Sequence, residues 1–407
     1  MHNTYIPRTI EATLTKVVGE FPAVVMTGPR QSGKTTLLKH LLGEDYSYLS
    51  MDLPEIRAAA ADDPRGFLEA YPAPVILDEV QYAPQLLPYI KNRIDYNRGS
   101  RGQFILTGSQ NLLLMEQVTE SLAGRSAILH LYPLSHREEV HEARSPAPLM
   151  KHEKGTEHED YFYSRLWEIF IRGNYPEPVT QPDRDIPLWH SSYIQTYQER
   201  DVRLLRNIGD LTLFRNFLQA LAVRSGQLLN YADMSRDLGI ALNTVKAWIS
   251  ILETSHQVTI LRPYHTNVGK RLVKTPKVYF NDVGTLCHLI GFKDPDSAQS
   301  SSLAGAIFET AVVAEIQKYY LHRGDVPRIF FWRTSQGKEV DILIEEGTRL
   351  IPVEARLSAT PRPSMARSIH QLKELIGNRV EPGYVIHAGD IILPLGGGTM
   401  AIPFSRI

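Results

Sequence analysis

Gly28-Pro29-Arg30-Gln31-Ser32-Gly33-Lys34-Thr35 decides the first fold of this 407-residue chain. The stretch fits G-x-x-x-x-G-K-[ST] at every position, between the apolar run Ala23 to Thr27 and the helical TLLKHLLG that starts at Thr36. A strand before such a loop and a helix after it are the context in which the pattern carries a mechanism. Glycines admit backbone dihedrals that other residues resist, so successive N–H groups turn inward at a helix N-terminus and cradle phosphate oxygens. The expected nucleotide-binding residues are Gly28, Pro29, Arg30, Gln31, Ser32, Gly33, Lys34, Thr35 and Thr36. Lys34 is expected to neutralise the β- and γ-phosphates of ATP, and Thr35 to give its hydroxyl to Mg2+.

Working outward, open α/β sheets place ligands at the carboxyl ends of neighbouring parallel strands. Val75-Ile76-Leu77-Asp78-Glu79 is an apolar strand ending in two adjacent carboxylates, some 45 residues after the glycine-rich loop. Asp78 is expected to hold Mg2+ through water, and Glu79 to polarise the water that attacks the γ-phosphate. Phe104 to Ser109 is a further apolar strand with small polar residues at its end. Thr107 or Ser109 would sense the γ-phosphate or hold the attacking water, or else simply cap Asn111. Arg125, in SLAGR, is a candidate to contact the nucleotide of its own or a neighbouring subunit, or a surface arginine in a turn.

The strand-like runs Ala23 to Thr27, Tyr46 to Ser50, Pro74 to Leu77, Gln103 to Thr107 and Ala127 to Leu131 alternate with helical stretches. They predict βαβ units and a parallel sheet covered on both faces. The polar segment His141 to Asp160 reads as a linker, and the pattern after Tyr161 is mostly helical. Tyr231 to Leu238, a turn at Gly239, and Asn243 to Leu252 make a helix-turn-helix layout, with Asn243 or Thr244 as the cap of the second helix. VTILRPY and TPKVYF read as a β-hairpin or wing, and Lys293 to Ser302 as a second linker. A helix from Leu303 to His322, strands in FFW, EVDILI and LIPVEAR, a helix near Ser364 to Ile376 and a final strand GYVIHAG complete the reading.

Length and composition bound the function. A chain of this size holds several domains. One cysteine, Cys287, excludes an internal disulfide scaffold, and no apolar window approaches the ~18 residues needed to span a bilayer. A cytoplasmic protein with no membrane partner is the expectation. No histidine pair has metal-ligand spacing, and His152 with His158 sits in the polar linker. The net charge of -1 is a cancellation: residues 1–190 sum to -6, residues 191–280 to +6 and residues 281–407 to -1. The basic middle carries Arg262, Lys270, Arg271, Lys274 and Lys277 on the expected wing. That suits contact with duplex DNA, wing on phosphates and second helix in the major groove. Leu242, Val245, Trp248, Ile249 and Leu252 instead bury much of that helix, as in a protein-binding module.

Taken together, GPRQSGKTTL, LDEVQ, LTGSQN and SLAGR resemble the prokaryotic AAA-type ATPases whose C-terminal half is a domain of unknown function. The resemblance continues through GNYPEP (Gly173 to Pro178), YQERDV (Tyr197 to Val202), KVYFNDVG (Lys277 to Gly284), GAIFET, EVDILI and PVEAR, and so covers nearly the whole chain. It implies a P-loop ATPase domain over residues 1–140, a linker and helical connector over 141–190, a winged-helix domain over 191–292, and a restriction-endonuclease-like α/β domain over 303–407. It also implies a homo-oligomeric ring, with Arg125 or another arginine acting across subunits. Glu309, Asp341 and Glu354 match the acidic pattern of the nuclease-like fold, where carboxylates would gather around Mg2+ against a phosphodiester. Arg356 departs from it, standing where nuclease-like members have lysine, and an arginine cannot serve as a base. Three functions follow as expectations: an ATPase that drives the C-terminal half on DNA, a nucleotide-gated regulator that binds DNA or protein without turnover, and an ATP-regulated nuclease.

Overall fold

The computed structural model describes residues 5–108, 118, 120–143, 162–197, 210–265 and 275–407. Two compact units divide them. The first is Met1–Leu134 with the short segments Thr254–His256 and Tyr320–Asp325, and the second is the remainder.

The first unit is built on five parallel strands, β1 (Ala23–Thr27), β2 (Ser47–Ser50), β3 (Val75–Asp78), β4 (Phe104–Gly108) and β5 (Ser126–His130), in the order β2-β3-β4-β1-β5. These are the expected strands to within a residue or two. Alternate side chains feed two cores, because a parallel strand covered on both sides has no polar face. Ala23, Val25, Val75, Leu77, Phe104 and Leu106 pack beneath residues of the helices Pro54–Asp62, Pro64–Ala70 and Leu86–Tyr96. Val24, Met26, Ile76 and Ile105 pack beneath Ile10 and Leu14 of the helix Ile10–Glu20 and Leu37 and Leu38 of the helix Lys34–Leu42. The strand order matters for the site. β4 lies between β1 and β3, with Leu77 opposite Leu106, so Thr107 comes beside Asp78.

In the second unit the helices Tyr231–Leu238 and Leu242–Thr254 meet at Gly239, whose left-handed backbone (φ +64°) ends the first of them. Asn230 caps that first helix, accepting from the N–H groups of Ala232 and Asp233. The second helix begins at Leu242, so Asn243 and Thr244 lie inside its first turn and neither is the cap. The pair is followed by two antiparallel strands, β6 (Val258–Leu261) and β7 (Lys277–Phe280). The basic residues Lys270, Arg271 and Lys274, the linker from 144 to 160 with His152 and His158, most of YQERDV, and Ser109 with Asn111 lie outside the described residues.

The C-terminal part is a six-stranded sheet of order β12-β13-β11-β10-β9-β8. Its strands are β8 (Ile329–Arg333), β9 (Glu339–Glu346), β10 (Arg349–Arg356), β11 (Tyr384–His387), β12 (Leu393–Gly396) and β13 (Thr399–Pro403). β11 runs parallel to β10 and β13, and the other pairs are antiparallel. Two features differ from the sequence expectation. Lys293 to Ser302 contains a helix, Pro295–Gln299, because Asp294 accepts from the Ser297 N–H and Pro295 fits the first helical turn. The chain also does not end its sheet at GYVIHAG. A hairpin of β12 and β13 follows, turned by Gly396, Gly397 and Gly398, all at positive φ. The proline and glycine around it masked the strand signal.

Two sequence signatures of this unit meet each other. Asp282, from the stretch KVYFNDVG, accepts from the N–H of Asn174 at 2.7 Å and caps the helix Val283–Ile290 through Thr285 N–H. A Cβ on Gly284 would lie 2.6 Å from the Gly173 Cα and 2.6 Å from His190 Nε2. GNYPEP and KVYFNDVG are therefore two halves of one backbone-to-backbone contact. Cys287, on the same helix, is fully buried, and burial pushes its thiol well above the usual range, so it is an inert packing residue.

Candidate functional site

The loop after β1 has the geometry that its sequence demands. Gly33 stands at φ +94° as the residue before the helix Lys34–Leu42. Gly28 is at φ +149°, and a Cβ there would sit 2.1 Å from the Leu131 carbonyl oxygen, so only glycine lets the loop pass the end of β5. The loop is anchored from outside by Arg8, a 4% exposed residue whose guanidinium donates to the carbonyls of Ser32 at 2.9 Å and Tyr132 at 2.7 Å. Lys34 is buried, and its ammonium donates to the carbonyls of Gly28 and Pro29, both at 2.9 Å. The Ser32 hydroxyl is fully buried in the loop and has no hydrogen-bond partner among the described residues. A buried orphan donor in a loop that also holds a lysine and opens a helix fits a phosphate. Gln31 and Thr36 are exposed, and Arg30 reaches Tyr82 Oη at 3.5 Å.

Asp78 ends β3 and is 6% exposed. Three hydroxyls converge on it. Thr35 Oγ1 donates to its Oδ2 at 2.9 Å, Tyr48 Oη donates to the same oxygen at 2.5 Å, and Thr107 Oγ1 donates to Oδ1. Burial, and then the hydrogen bond to Asp78, holds the Tyr48 phenol far above its ordinary range, so it remains a donor. The Thr35 hydroxyl and the Asp78 carboxylate offer adjacent hard oxygens. With phosphate oxygens and water, that is the donor set Mg2+ takes in nucleotide sites, where protein ligands are few. Thr107 is thus turned to Asp78, and it also accepts from the Glu79 N–H at 3.4 Å.

Glu79 follows at φ +54°, ψ +44°, a left-handed conformation that a non-glycine residue adopts only when its surroundings enforce it. Its contacts include the bond to Thr107 and one from the Gln81 side-chain amide, which donates to Glu79 Oε2. Sequence reading missed three residues: Arg8, Tyr48 and Gln81. Gln81 stood in LDEVQ as part of a signature without a role, and Tyr48 stood in an expected strand, while Arg8 carried no local signal. Arg125 was singled out, and its guanidinium is committed within the unit: Nε and Nη2 donate to both oxygens of Asp95, at 2.8 and 2.9 Å.

The second set of singled-out acids lies on the C-terminal sheet. Asp341 on β9 and Glu354 on β10 are both bonded by Arg356, at 2.8 Å for Asp341 Oδ2, and the Ala355 N–H donates to the same oxygen at 3.0 Å. Glu309, on the helix Ala304–Leu321, accepts from Lys277 Nζ at 2.9 Å and Tyr279 Oη at 2.6 Å. Lys277 also pairs with Glu339. This corrects the reading of Lys277 as a wing cation. It is 3% exposed, flanked by Val278, Tyr279 and Phe280 on a buried strand, and its charge is turned inward. Burial pulls its ammonium down, but Glu309, Glu339 and Asp341 outweigh burial and hold it above the usual lysine range. Burial, followed by the charge of Asp341, pushes the Glu354 carboxyl well above the usual carboxylate range despite Arg356. Among the described residues, no group of three or more His, Cys, Asp or Glu side chains is disposed to hold a metal ion. The donor set at Glu309, Asp341 and Glu354 does not fit Mg2+, because a guanidinium and an ammonium already neutralise it.

Three family models match stretches of this chain. Residues 20–140 match the family described as AAA domain, residues 304–407 match Domain of unknown function (DUF4143), and residues 163–296 match Domain of unknown function (DUF8612). Uncharacterized protein Rv2008c of Mycobacterium tuberculosis is 28% identical over 402 residues, 98% of this chain and 84% of that protein. An uncharacterized protein of Haemophilus influenzae is 23% identical over 359 residues, 81% of each chain. Among solved structures, the Walker-type ATPase paby2304 of Pyrococcus abyssi is similar at 15% identity and a TM-score of 0.39, over 71% of this chain and 99% of that one. The RuvB Holliday junction branch migration motor of Thermotoga maritima gives 14% identity and a TM-score of 0.30, over 61% and 88%. Among the described residues, no helix is long and apolar enough to cross a membrane.

Proposed function

We propose that this chain, a P-loop AAA-domain protein with a C-terminal domain of unknown function, binds ATP with Mg2+ on residues 28–36 and hydrolyses it. The observation that carries the reading is that the helix after β1 meets the end of β3 across β4: Thr35 Oγ1, next to Lys34, lies 2.9 Å from Asp78 Oδ2, and Glu79 follows Asp78. The loop N–H groups and the Ser32 hydroxyl bind phosphate oxygens, and Lys34 exchanges its bonds to the loop carbonyls for the β- and γ-phosphates. Thr35 and Asp78 hold Mg2+, which supplies charge neutralisation on the phosphates. Glu79 takes a proton from the attacking water.

The test is ATP turnover with Mg2+ by wild type, Lys34→Ala and Glu79→Gln. Lys34→Ala is expected to lose nucleotide binding. Glu79→Gln is expected to bind with unchanged affinity and turn over about 100-fold slower or worse. An unaffected Glu79→Gln rate ends the assignment.

DNA is the proposed partner of the second unit. The reading rests on the +6 charge of residues 191–280 and on the exposed Asn243, Lys246 and Ser250 of the second helix in the helix-turn-helix pair, read as part of a winged helix. With Lys277 buried, the described wing strands keep Arg262, and the reading depends on residues 266–274 for the rest of its cations. ATPase rate with duplex DNA at two salt concentrations tests it: stimulation that weakens steeply with salt supports DNA, and an unchanged rate at both salts ends it. A homo-oligomer remains part of the proposal, with an arginine other than the Asp95-bound Arg125 acting across subunits. Phosphodiester cleavage does not, since the acids it needs are held by Arg356 and Lys277.

A further inference from the structure

The Glu79 carboxylate is fixed by a neighbour that has one polar atom to spare. Gln81, on the short 3-10 turn Val80–Tyr82 just past the end of β3, is 6% exposed. Its Nε2 donates to Glu79 Oε2. An ionised carboxylate only accepts, so this bond settles which end of the amide faces Glu79. The amide oxygen, Oε1, is then the unused end, buried and with no hydrogen-bond partner among the described residues. Buried acceptors are nearly always satisfied, and one left over beside a reactive group calls for a donor. The backbone makes the same point, since the left-handed turn at Glu79 brings a side chain two residues away back onto its carboxylate.

We propose that Gln81 is a positioning residue for the attacking water: its amide N–H orients the Glu79 carboxylate, and its Oε1 accepts the second proton of the same water molecule. A water about to attack phosphorus has two protons and needs two acceptors to fix its lone pair on the γ-phosphorus. Glu79 receives the proton that leaves. The water oxygen forms the new bond to phosphorus, the bond from phosphorus to the bridging oxygen breaks with its electron pair going to ADP, and the proton on Glu79 passes on to solvent. The proton directed at Gln81 stays on the product phosphate. Gln81 thus acts before the bond changes, by orienting the water, and it does not itself exchange a proton. The inference rests on the ATPase reading and adds a residue and a geometry to it.

The test uses the full chain and four proteins: wild type, Glu79→Gln, Gln81→Met and Gln81→Glu. Methionine keeps the length and bulk of glutamine and removes both polar atoms. Binding of a fluorescent ATP analogue with Mg2+, thermal melting, and the rate of ATP turnover against pH are measured for each. Gln81→Met is expected to keep its nucleotide affinity and melting temperature while kcat falls about 30- to 100-fold with KM unchanged. Gln81→Glu sets a second carboxylate against Glu79, and the low-pH limb of its rate profile is expected to move to higher pH. A Gln81→Met rate within about 3-fold of wild type, beside an inactive Glu79→Gln, overturns this inference and leaves the ATPase reading standing. Loss of nucleotide binding in Gln81→Met overturns it too, as the mark of a purely structural residue. A wild type that binds the analogue without any turnover overturns the ATPase reading, and the inference falls with it.

Discussion

Asp78 and Asp341 are both aspartates on sheet strands, both 6% exposed, both singled out by motif, and their neighbours treat them in opposite ways. Asp78 ends a strand and is met by three hydroxyls, from Thr35, Tyr48 and Thr107, which orient the carboxylate without supplying a countercharge. Asp341 is met by the Arg356 guanidinium, and the acids around it by Arg356 and Lys277. Neutral donors around a buried acid prepare it for a cation that comes from outside. A cation supplied by the fold uses the same charge to hold the fold together. An acidic residue at a strand end therefore says little by itself, and the partner's charge decides between site and structure.

The largest expected effect breaks the second half of that comparison. Lys277→Met leaves Glu309 without its cation and Glu339 with Arg333 alone, and denaturant unfolding is expected to show a loss of about 3 kcal/mol. Asp78→Asn tests the first half: it should leave the melting temperature close to wild type and slow Mg2+-dependent turnover about 100-fold, equal to about 2.7 kcal/mol of barrier. A stability loss matching that of Lys277→Met would erase the distinction between the two sites. Tyr48→Phe sharpens it further. Removing one of three donors should cost about 0.5–1.5 kcal/mol of stability and raise the Mg2+ concentration for half-maximal turnover several-fold, measured by metal titration at saturating ATP.

The pH dependence of stability carries opposite signs in the two units. His256 is buried with its Nδ1 3.0 Å from Tyr132 Oη, and burial, then the nearby His130 and Lys34, lowers its ring to about 3. The unfolded chain protonates this histidine below its ordinary value of 6.5, and the folded chain does not. Stability is therefore expected to fall as pH drops from 6.5 towards 3, and His256→Gln should flatten that slope. Glu354 has the reverse shift, so the folded state keeps a proton that the unfolded chain releases above 4.5. Its contribution is present below 4.5 and is lost as pH rises, and Glu354→Gln should become more favourable relative to wild type between pH 5 and pH 8 in melting experiments.

The sheet of the first unit was legible because its signals are local. An apolar strand, a glycine-rich loop and a helix stand next to one another in sequence, and the order of polar groups at strand ends follows from the parallel topology. Thr35, Asp78 and Thr107 come together, with Thr107 turned to Asp78 rather than outward. The partners Tyr48, Gln81 and Arg8 depend on tertiary placement, which no spacing reveals. The error at Lys277 has a different cause. Counting charge along the 191–280 segment assumed that each lysine faces water, yet Lys277 sits in an apolar run, and that run was the visible sign that its charge would need an internal partner. The departure at Arg356 was readable from sequence, and its geometry gives the reason: the arginine bonds the two acids that a metal would need.

The contact between Gly173 and Gly284 has a consequence for how this chain can vary. Each backbone occupies the space that the other's side chain would need, and a Cβ on Gly173 would lie 2.9 Å from both oxygens of Asp282. Trimming one position cannot make room for growth at the other, because neither has anything left to trim. Drift at these two sites has no compensating path through the other, so a sequence that loses either glycine must re-route the chain around Asp282, and neutral walks through this fold have to pass elsewhere.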